Sequence, residues 1–365
     1  MRILYLITKA ERGGAQSVLH ELLLSHKEKG DQVLLVTGGE GYLVDEAIKY
    51  GFEVHVSSKL GNTFNPFSIL QTYLDLRVVA KEFNPEIISV HSSFAGFIGR
   101  LALGRKYPTI FTAHGIAFTK GAPLWRKPIA IVAEFIASRF CKKIIAVSEN
   151  DRKNIKKFLL LRDEKVVTVY NGVTVVDNIS TEKTNSIVFV GRLVPPKQPE
   201  VLIRALHILK NKGVELPKLS IIGDGAQRPD LEILIKKLDL SAHVHMMGEC
   251  DGSLVRKTLR ESSVFVLSTL WEGFPMTILE AMAEGCAVLA SDVGGISEAV
   301  SSDVGVLIPR DSSSEIWAEV LEKIFSDKPA LQKMGELGHE RVKNNFSKDL
   351  MISKTFEVYE NVIRK

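Results

Sequence analysis

The sequence predicts an α/β protein with two doubly wound domains, each built around a parallel sheet. Short, continuously apolar runs alternate with amphipathic stretches, a pattern typical of parallel strands joined by covering helices. The alternation restarts after a polar segment near the middle of the chain, so we expect two sheets. The predicted strands of the first sheet are RILYLIT, QVLLVTG, FEVHVSS, PEIISVH, TIFTAHG, KIIAVSE and KVVTVYNG, and those of the second are SIVFVGR, KLSIIGDG, HVHMMGE, VFVLST, AVLASD and GVLIP.

The stretches between the strands are predicted to be helices, such as SVLHELLLSHKEKG and FSILQTYLDLRVVAKEF in the first series. The segment Val173 to Ser186 separates the two series, is polar and lacks a helical period, so we predict that it is the linker. Three more helical stretches follow GVLIP without a further strand, and the last is KDLMISKTFEVYENVIRK. The boundary between the two domains is predicted between residues 175 and 176.

Length and composition fit two domains of ordinary size. The chain has 365 residues, of which 45% are hydrophobic and 25% charged, the balance of a soluble globular protein. Cys141, Cys250 and Cys286 are scattered and have neither zinc-site spacing nor a paired framework. The apolar run at the N-terminus is too short for a signal peptide, and no stretch reaches about 18 apolar residues, so we expect a cytoplasmic protein.

Charge is divided unevenly along the chain. Residues 1–175 contain 24 Lys and Arg against 16 Asp and Glu, whereas the remainder contains 23 against 27. Most of the excess lies between residues 100 and 165, where Trp125, Phe135 and Phe158 are interleaved with the bases. The region is either a solvated basic face or a surface that rests on anionic lipid. Nucleic acid is not an expected partner, because no nucleic-acid-binding motif is present.

The segment WEGFPMTILEAMAEG places one acid on each side of a strand-to-helix turn. Glu272 follows a predicted strand, at the edge where parallel sheets bind ligands, and Glu280 falls about one turn into the next helix. Backbone N–H groups at the start of that helix favour an anion. This order of groups suits a sugar, a diphosphate and a ribose. In the simpler alternative, Glu272 caps the helix and Glu280 is a solvated helix residue. The turn between the two acids contains Gly273, Phe274, Pro275, Met276 and Thr277.

Cations and glycines follow other predicted strands. Arg192 and Lys197 come after SIVFV and suit a diphosphate, because guanidinium and ammonium groups bind phosphate oxygens. Gly191 beside them allows close approach of the backbone. Gly223, in the turn after KLSII, is a weaker signal for a phosphate loop. An ordinary basic loop at the end of a sheet would give the same pattern.

Two glycines, Gly13 and Gly14, open the first predicted helix. A dinucleotide-binding loop needs a third glycine at fixed spacing, and its absence argues against a dinucleotide oxidoreductase. His114, followed by Gly115, comes after the strand TIFTA, at the sheet edge where ligands bind. We interpret His114 as a ligand-binding residue, with a structural loop histidine as the alternative.

Taken in order, these motifs resemble those of the retaining, group-one GT-B glycosyltransferases, of the glycosyltransferase family 4-like type. The motifs are GG near the start, His114 with Gly115, Asn171-Gly172-Val173, GRL with a following lysine, and two glutamates separated by seven residues. The resemblance covers nearly the whole chain and implies two facing Rossmann-like domains. It implies an acceptor-side domain over residues 1–175, a nucleotide-sugar-binding domain over 176–346, and a last helix, about 347–365, that crosses back to the first domain.

The resemblance implies transfer of a hexose or N-acetylhexosamine with retention of configuration. The acceptor would be a glycan or lipid-linked glycan in polysaccharide or glycoconjugate biosynthesis. The donor would be a nucleoside-diphosphate sugar, and family frequency favours uridine as its base. If the acceptor is lipid-linked, the basic first domain is predicted to lie peripherally on the inner face of the membrane.

This layout gives each candidate residue a role. Arg192, Lys197 and the turn amides would hold the diphosphate, Glu280 the ribose and Glu272 the donor sugar's hydroxyls. His114 would bind the donor sugar or the acceptor, and Gly13 with Gly14 would let the first helix approach the donor phosphates or the acceptor. The chain contains no Asp-x-Asp pair for a divalent ion. We therefore expect a metal-independent reaction without a cofactor.

Two other classes of protein remain open. A sugar-nucleotide epimerase of the same fold would bind the same donor, but the first half of the chain shows no group of catalytic acids for it. A non-catalytic sugar-nucleotide-binding module is the other alternative. The set Arg192, Lys197, Glu272 and Glu280 argues against such a module, because all of its members are present.

Overall fold

The computed structural model describes residues 1–61, 65–116, 118, 126–179 and 183–364, and the chain divides into two compact units. Unit 1 comprises Met1–Asn171 and the C-terminal segment that starts at Lys348, and unit 2 comprises Gly172–Ser347. The sequence-based boundary follows Val175. Each unit is built around a parallel sheet of its own.

Unit 1 has the strand order β3-β2-β1-β4-β5-β6-β7. Its strands are β1 (Arg2–Ile7), β2 (Gln32–Thr37), β3 (Glu53–Val56), β4 (Ile87–His91), β5 (Thr109–Ala113), β6 (Lys143–Ala146) and β7 (Val166–Thr168). Its helices are α1 (Gly14–Lys29), α2 (Tyr42–Lys49), α3 (Pro66–Phe83), α4 (Ser93–Leu103), α5 (Arg126–Ser138) and α6 (Glu149–Leu159), and a short 3₁₀ turn spans Asp163–Lys165.

Helix α4 packs deeply onto the sheet of unit 1 because it carries two glycines. A Cβ on Gly96 would lie 2.6 Å from the Phe111 ring, and one on Gly99 would lie 2.5 Å from the side chain of Leu6. The close approach buries Arg100, whose guanidinium lies 4.0 Å from the centre of the Phe111 ring. Larger residues at the two glycines would push α4, and the loop that leads into it from β4, away from the sheet.

Unit 2 repeats the plan with the strand order β10-β9-β8-β11-β12-β13. Its strands are β8 (Thr184–Val190), β9 (Lys218–Ile222), β10 (Val244–Gly248), β11 (Ser262–Leu267), β12 (Ala287–Asp292) and β13 (Gly305–Pro309). Its helices are α7 (Pro199–Asn211), α8 (Arg228–Lys237), α9 (Gly252–Glu261), α10 (Met276–Ala283), α11 (Ile296–Ala299), α12 (Ser314–Ser326) and α13 (Lys328–Asn345).

A partly buried lysine fixes the start of β8. The ammonium of Lys183 donates hydrogen bonds to the backbone carbonyls of Arg260, Ser262 and Glu284 at 3.1, 2.9 and 2.9 Å. The predicted linker, Val173–Ser186, overlaps the first residues of this strand, because β8 begins at Thr184. Residues 180–182 of that linker lie outside the described residues.

The predicted strands are all present in the predicted order, and the two parallel α/β sheets confirm the fold class. The last helix, α14 (Lys348–Ile363), belongs to unit 1 and packs on α1. In each sheet the chain reverses its direction of travel beside its first strand, between β1 and β4 in unit 1 and between β8 and β11 in unit 2. Doubly wound proteins bind ligands at such switch points, outside the carboxyl ends of the strands.

Candidate functional site

The loops after β8 and β11 bring two predicted site residues into contact at the switch point of unit 2. They run side by side, and the Leu270 amide donates to the Pro196 carbonyl at 3.1 Å. This pairing places the ammonium of Lys197 against the carboxylate of Glu272, and the two form an ion pair that is mostly shielded from solvent. An ammonium has three N–H donors, so Lys197 can hold Glu272 and an oxygen of a ligand at once.

The loop that carries Glu272 is braced by the loop after β12. Gly294 has φ 59°, and a Cβ there would overlap the carbonyl oxygen of Glu272. Glycine suits both requirements, since it adopts positive φ readily and has no Cβ. The amide of Gly295 also donates to the Gly273 carbonyl at 2.9 Å. The backbone around Glu272 is therefore held on two sides.

The loops after β8 and β9 also approach closely. Gly223 has φ 128°, and a Cβ there would overlap the carbonyl of Gly191, whose own amide donates to the Ile222 carbonyl at 3.0 Å. Arg192 follows directly, is exposed, and forms no ion pair with any residue that the structure describes. Its guanidinium is therefore available to a phosphate group.

Helix α10 starts in the loop that carries Glu272. Pro275 is its N-cap, and the amides of Met276 and Thr277 belong to its first turn, where N–H groups have no partner within the helix. The helix dipole favours negative charge at this end. Phe274 packs on the Phe346 ring, with centroids 5.3 Å apart, and this contact anchors the chain just before the helix.

Glu280 lies in the second turn of α10 and is half-buried. Its carboxyl forms no hydrogen bond or ion pair with any described residue. Burial raises the pKa of Glu280 above its ordinary value of 4.5, and the positive charge of Arg256 opposes this shift. A partly buried carboxylate is stabilised when a ligand supplies hydrogen-bond donors, and the hydroxyls of a ribose are such donors.

In unit 1, His114 follows β5 and meets a histidine from the neighbouring strand. Its Nε2 lies 2.8 Å from Nδ1 of His91, the last residue of β4, and the nearly parallel rings have centroids 5.1 Å apart. Burial lowers the pKa of His114 to about 4, so the imidazole is neutral at pH 7. Its Nδ1 is buried without a hydrogen-bond partner among the described residues. His91 was not predicted from the sequence, although it ends β4 just as His114 directly follows β5, and this parallel was an available signal.

The ends of β1 and β4 are tied together at the switch point of unit 1. Ser92 has φ 64° and ψ 159°, a conformation that costs a non-glycine residue roughly 1–3 kcal/mol. The hydroxyls of Ser92 and Thr8 lie 2.7 Å apart, and the Ala95 amide donates to Thr8 Oγ1 at 3.1 Å. These bonds hold the turn that follows His91.

The predicted glycine pair lies at the start of α1. Gly14 is its first residue and Gly13 its N-cap. Gly13 is in an extended conformation that any residue adopts, but a Cβ there would lie 2.8 Å from the side-chain oxygen of Gln16. Both glycines are exposed. Binding of a ligand at this helix start stays a prediction.

The three aromatic residues of the basic region differ in their surroundings. Phe135 is partly buried and packs against the core of unit 1, and Trp125 lies outside the described residues. Phe158 is 39% exposed. Helix α5 exposes three aliphatic side chains at helical spacing instead, and these were not singled out from the sequence because exposure depends on which face the sheet covers. They are Ile129, Val132 and Ile136.

Three lysines of α6 lie in the basic region, and their surroundings differ. Lys156 forms an ion pair with Asp163, so its charge is already partly neutralised. Lys153 and Lys157 are exposed and form no ion pair with a described residue. Lys153 and Lys157 are therefore the better candidates for contact with anionic lipid.

The described ranges omit residues 62–64, 117, 119–125, 180–182 and 365. They contain no helix of the length and hydropathy required to cross a membrane. They also contain no group of three or more His, Cys, Asp or Glu side chains arranged to hold a metal ion.

Comparison with protein families and curated proteins gives matches along most of the chain. Residues 12–176 match the family described as Glycosyltransferase Family 4, and residues 176–341 match the one described as Glycosyl transferases group 1. The O-antigen biosynthesis glycosyltransferase WbnH of Escherichia coli is 29% identical over 325 residues, which are 88% of this chain and 90% of that protein. The UDP-Gal:alpha-D-GlcNAc-diphosphoundecaprenol alpha-1,3-galactosyltransferase of Escherichia coli is 26% identical over 315 residues, 80% of each chain.

Solved structures with the same fold include a glycosyltransferase from Rickettsia africae, with a TM-score of 0.83 and 22% identity over 100% of this chain and 99% of that one. HepE from Anabaena, in complex with UDP-glucose, has a TM-score of 0.82 and 21% identity over 99% and 100%. The two family matches meet at residue 176 and together span residues 12–341. The chain is therefore a glycosyltransferase of GT-B fold, built from a Glycosyltransferase Family 4 region followed by a Glycosyl transferases group 1 region.

Proposed function

We propose that the protein is a retaining glycosyltransferase that moves a hexose or N-acetylhexosamine from a UDP-sugar to a glycan or lipid-linked glycan in polysaccharide biosynthesis. The observation that carries the donor half of this proposal is the meeting of Lys197, Glu272 and the start of α10 at the ends of β8 and β11. A cation, helix amides and an acid at one sheet edge match the parts of a nucleoside-diphosphate sugar. The UDP-glucose bound by HepE, and UDP-Gal in a relative's name, support the choice of uridine.

The residues of unit 2 bind the donor and stabilise its leaving group. Arg192 and Lys197 bind the diphosphate together with the first amides of α10, and Glu280 accepts hydrogen bonds from the ribose. Glu272 orients the hydroxyls of the donor sugar. As the bond from sugar to phosphate breaks, negative charge grows on the diphosphate, and the two cations neutralise it without a divalent ion. The base contacts backbone groups near Gly248, at the end of β10.

The sugar acquires oxocarbenium character as the leaving group departs. An acceptor hydroxyl then attacks the face that the leaving group has just left and gives its proton to an oxygen of the departing diphosphate. The configuration at the anomeric carbon is therefore retained. His114 of unit 1 hydrogen-bonds the donor sugar or the acceptor through Nδ1, which has no partner among the described residues. Gly13 and Gly14 would let the start of α1 approach the donor phosphates or the acceptor.

The acceptor half of the proposal is a lipid-linked glycan at the inner face of a membrane, reached by peripheral docking of unit 1. Two observations support it. The name of one relative specifies a diphosphoundecaprenol acceptor. Helix α5 exposes an aliphatic face, Ile129, Val132 and Ile136, in the region of highest basic charge. Aliphatic side chains that enter the lipid interface and bases that face anionic headgroups are the usual means of such docking.

The donor half is tested by thermal unfolding with UDP, GDP and ADP at equal concentrations. A bound nucleotide stabilises the fold in proportion to its affinity, so UDP is expected to raise the Tm most. Stabilisation by none of the three would refute the assigned site. The reaction is tested by following UDP release from UDP-sugars with and without an undecaprenyl-linked glycan, and release is expected only with the acceptor. An inverted anomeric signal in the NMR spectrum of the product would refute retention.

A further inference from the structure

Helix α3 carries an apolar stripe on the side that faces away from the core of unit 1. Its buried side, which includes Leu76, Val79 and Phe83, packs in that core. The opposite side carries four large apolar side chains at spacings of three and four residues, each more than half exposed. They are Phe67, Leu70, Leu74 and Val78. The outward side of a helix in a globular protein is normally polar, so this stripe is suited to a contact with another apolar surface.

Helix α5 repeats the arrangement beside it. Its aliphatic stripe, Ile129, Val132 and Ile136, is also exposed at helical spacing. Helix α4 packs on both α3 and α5, so the three helices form one layer. The partly buried residues of α4 include Phe97 and Leu101, which are apolar as well. We call the outward side of this layer, with its two exposed stripes, the α3–α5 face.

The topology places the α3–α5 face on one side of the sheet. The chain runs from β1 to β2 and β3 in one direction, and from β3 through β4 and β5 to β6 in the other. Because such crossovers are right-handed, α1 and α2 cover one side of the sheet and α3, α4 and α5 the other. The C-terminal helix α14 packs on α1, and it therefore lies on the side away from the α3–α5 face.

The exposed charges around this face are mostly of one sign. Bases lie in the last turns of α3 or directly after α4 and α5, and they are Arg77, Lys81, Arg105, Lys106 and Arg139. Among the described residues of the three helices, Glu82 is the exposed acid, and the carboxylate of Glu134 is paired with Arg100. Helix dipoles favour bases at these ends but do not account for the apolar stripes. Two copies of the face would bring like charges together, whereas anionic lipid attracts them.

We propose that unit 1 docks on a bilayer of anionic lipid through the α3–α5 face, with the stripe of α3 entering the lipid beside that of α5. This inference rests on the proposed membrane-bound acceptor and makes it more specific, because it assigns the docking surface and its orientation. The three helices lie along the membrane surface. Both α3 and α5 begin at the carboxyl edge of the sheet, where His114 lies, so an acceptor anchored in the bilayer can extend its glycan to this edge.

The contribution of α3 is measured by sedimentation with vesicles of phosphatidylcholine and phosphatidylglycerol at low salt. The double variant Leu70→Gln, Leu74→Gln is expected to bind roughly 30-fold more weakly, about fivefold for each leucine that no longer leaves water. The matched control is Ile48→Gln, Ile233→Gln, which removes two equally exposed aliphatic side chains from α2 and from unit 2. Its binding should stay within about twofold of the unchanged protein. Equal effects of the two double variants would overturn the inference.

A second measurement tests insertion directly and does not depend on the glutamine variants. Leu74→Trp adds an indole to the α3–α5 face, and Ile48→Trp adds one to α2. Lipids brominated on their acyl chains quench an indole that enters the bilayer, so the emission added by Leu74→Trp is expected to be quenched and that added by Ile48→Trp is not. Equal quenching of the two would overturn insertion of α3 and leave only adsorption through the bases. Thermal unfolding checks that each variant is folded, and exposed positions should change the Tm little.

Other occupants of the face give different results. Light scattering without lipid is expected to find a monomer, and a dimer that dissociates in the Leu70→Gln, Leu74→Gln variant would overturn the inference in favour of a second copy. Absence of binding to protein-free vesicles at low salt would overturn it in favour of a protein partner. These measurements use neither donor nor acceptor. Arg192→Ala is expected to bind vesicles as the unchanged protein does, so a failure of docking is distinguishable from a failure of the proposed transfer.

Discussion

The two units have the same arrangement of strands around their switch points but place different chemistry there. In unit 2, the ends of β8 and β11 carry the ion pair of Lys197 and Glu272, with Arg192 close by in sequence. In unit 1, the ends of β4 and β5 carry the neutral pair of His91 and His114. The topology determines where a ligand binds, whereas the residues after each strand determine which ligand. On the proposed function, the charged diphosphate binds to unit 2 and uncharged hydroxyls bind to unit 1.

The largest effect is expected from removal of a cation in unit 2. Arg192→Ala and Lys197→Ala should each lower kcat by roughly 10- to 1000-fold, as for removal of a charge partner of the transition state. Arg204→Ala, an exposed arginine of α7 in the same unit, is the matched control and should change little. Excess chelator should leave activity nearly unchanged. Activity that is lost on chelation and restored by manganese or magnesium would contradict the assignment of these two residues.

Because Lys197 and Glu272 are in contact, a double variant tests whether the two residues act independently in catalysis. Residues in direct contact have effects that do not add. The double variant should therefore lose less activity than the product of the two single losses. Strict multiplication of the single effects would show that the ion pair has no part in catalysis.

The two glutamates should separate binding from turnover. On the proposed function the carboxylate of Glu280 accepts charged hydrogen bonds from the ribose, so Glu280→Ala is expected to weaken UDP binding by about 1.5–3 kcal/mol. Glu272→Ala should instead lower turnover. Calorimetry with UDP and steady-state kinetics provide the two measurements, and Glu261→Ala, an exposed acid of α9, serves as the control. Small and equal effects of both changes would support the alternative in which Glu272 caps the helix and Glu280 is a solvated acid.

The charge difference between the units is tested on membranes. Changing both Lys153 and Lys157 to Gln should weaken binding to vesicles of anionic lipid by roughly 30-fold, since each base contributes about 1 kcal/mol, and a change of both to Glu should weaken it further. The matched control changes Lys236 and Lys237 of α8 in unit 2, which are equally exposed. Binding should also fall steeply between low salt and about 0.5 M salt. A sedimentation assay that finds no binding at any salt concentration would refute docking.

The smallest expected effect is a pH dependence of nucleotide binding. Burial raises the pKa of Glu280, so this carboxyl takes up a proton at a higher pH than an ordinary glutamate does. A protonated carboxyl accepts hydrogen bonds from ribose less well, and UDP affinity should therefore fall a few-fold as the pH decreases through the raised pKa. Glu280→Gln should remove this dependence. An affinity that is independent of pH between about 4.5 and 7 would contradict contact between Glu280 and ribose.

The sequence alone predicts the strands and their order well, because fully buried parallel strands are short, continuous apolar runs. It also predicts the positions of Lys197, Glu272 and His114 at the ends of strands. The contact between Lys197 and Glu272 is not predictable in this way, since it depends on β11 lying beside β8 with two other strands between them in the chain. The apolar pattern of one segment shows that it is a strand, but it does not show which other strands lie beside it in the sheet.

Surface and core roles are the hardest to assign from the sequence. Phe135 was interpreted as an interface residue and is partly buried, whereas Ile129 on the same helix is 64% exposed. Both are apolar and lie two turns apart at most, so composition cannot separate them. His91 was overlooked for the opposite reason, because a histidine that ends a buried strand resembles a core residue until its partner is known.

The position of α14 in the chain has a consequence for synthesis of the protein. The ribosome makes Met1–Asn171 first, and all of Gly172–Ser347 must follow before α14 is made. Until then, Ser89 of β4 lacks its contact with the hydroxyl of Tyr359 of α14, and the nascent first unit has an uncovered face where α14 will pack. Incompletely covered surfaces of this kind are what chaperones recognise and proteases attack. Unit 1 is therefore translated first but is completed only after unit 2 has been translated.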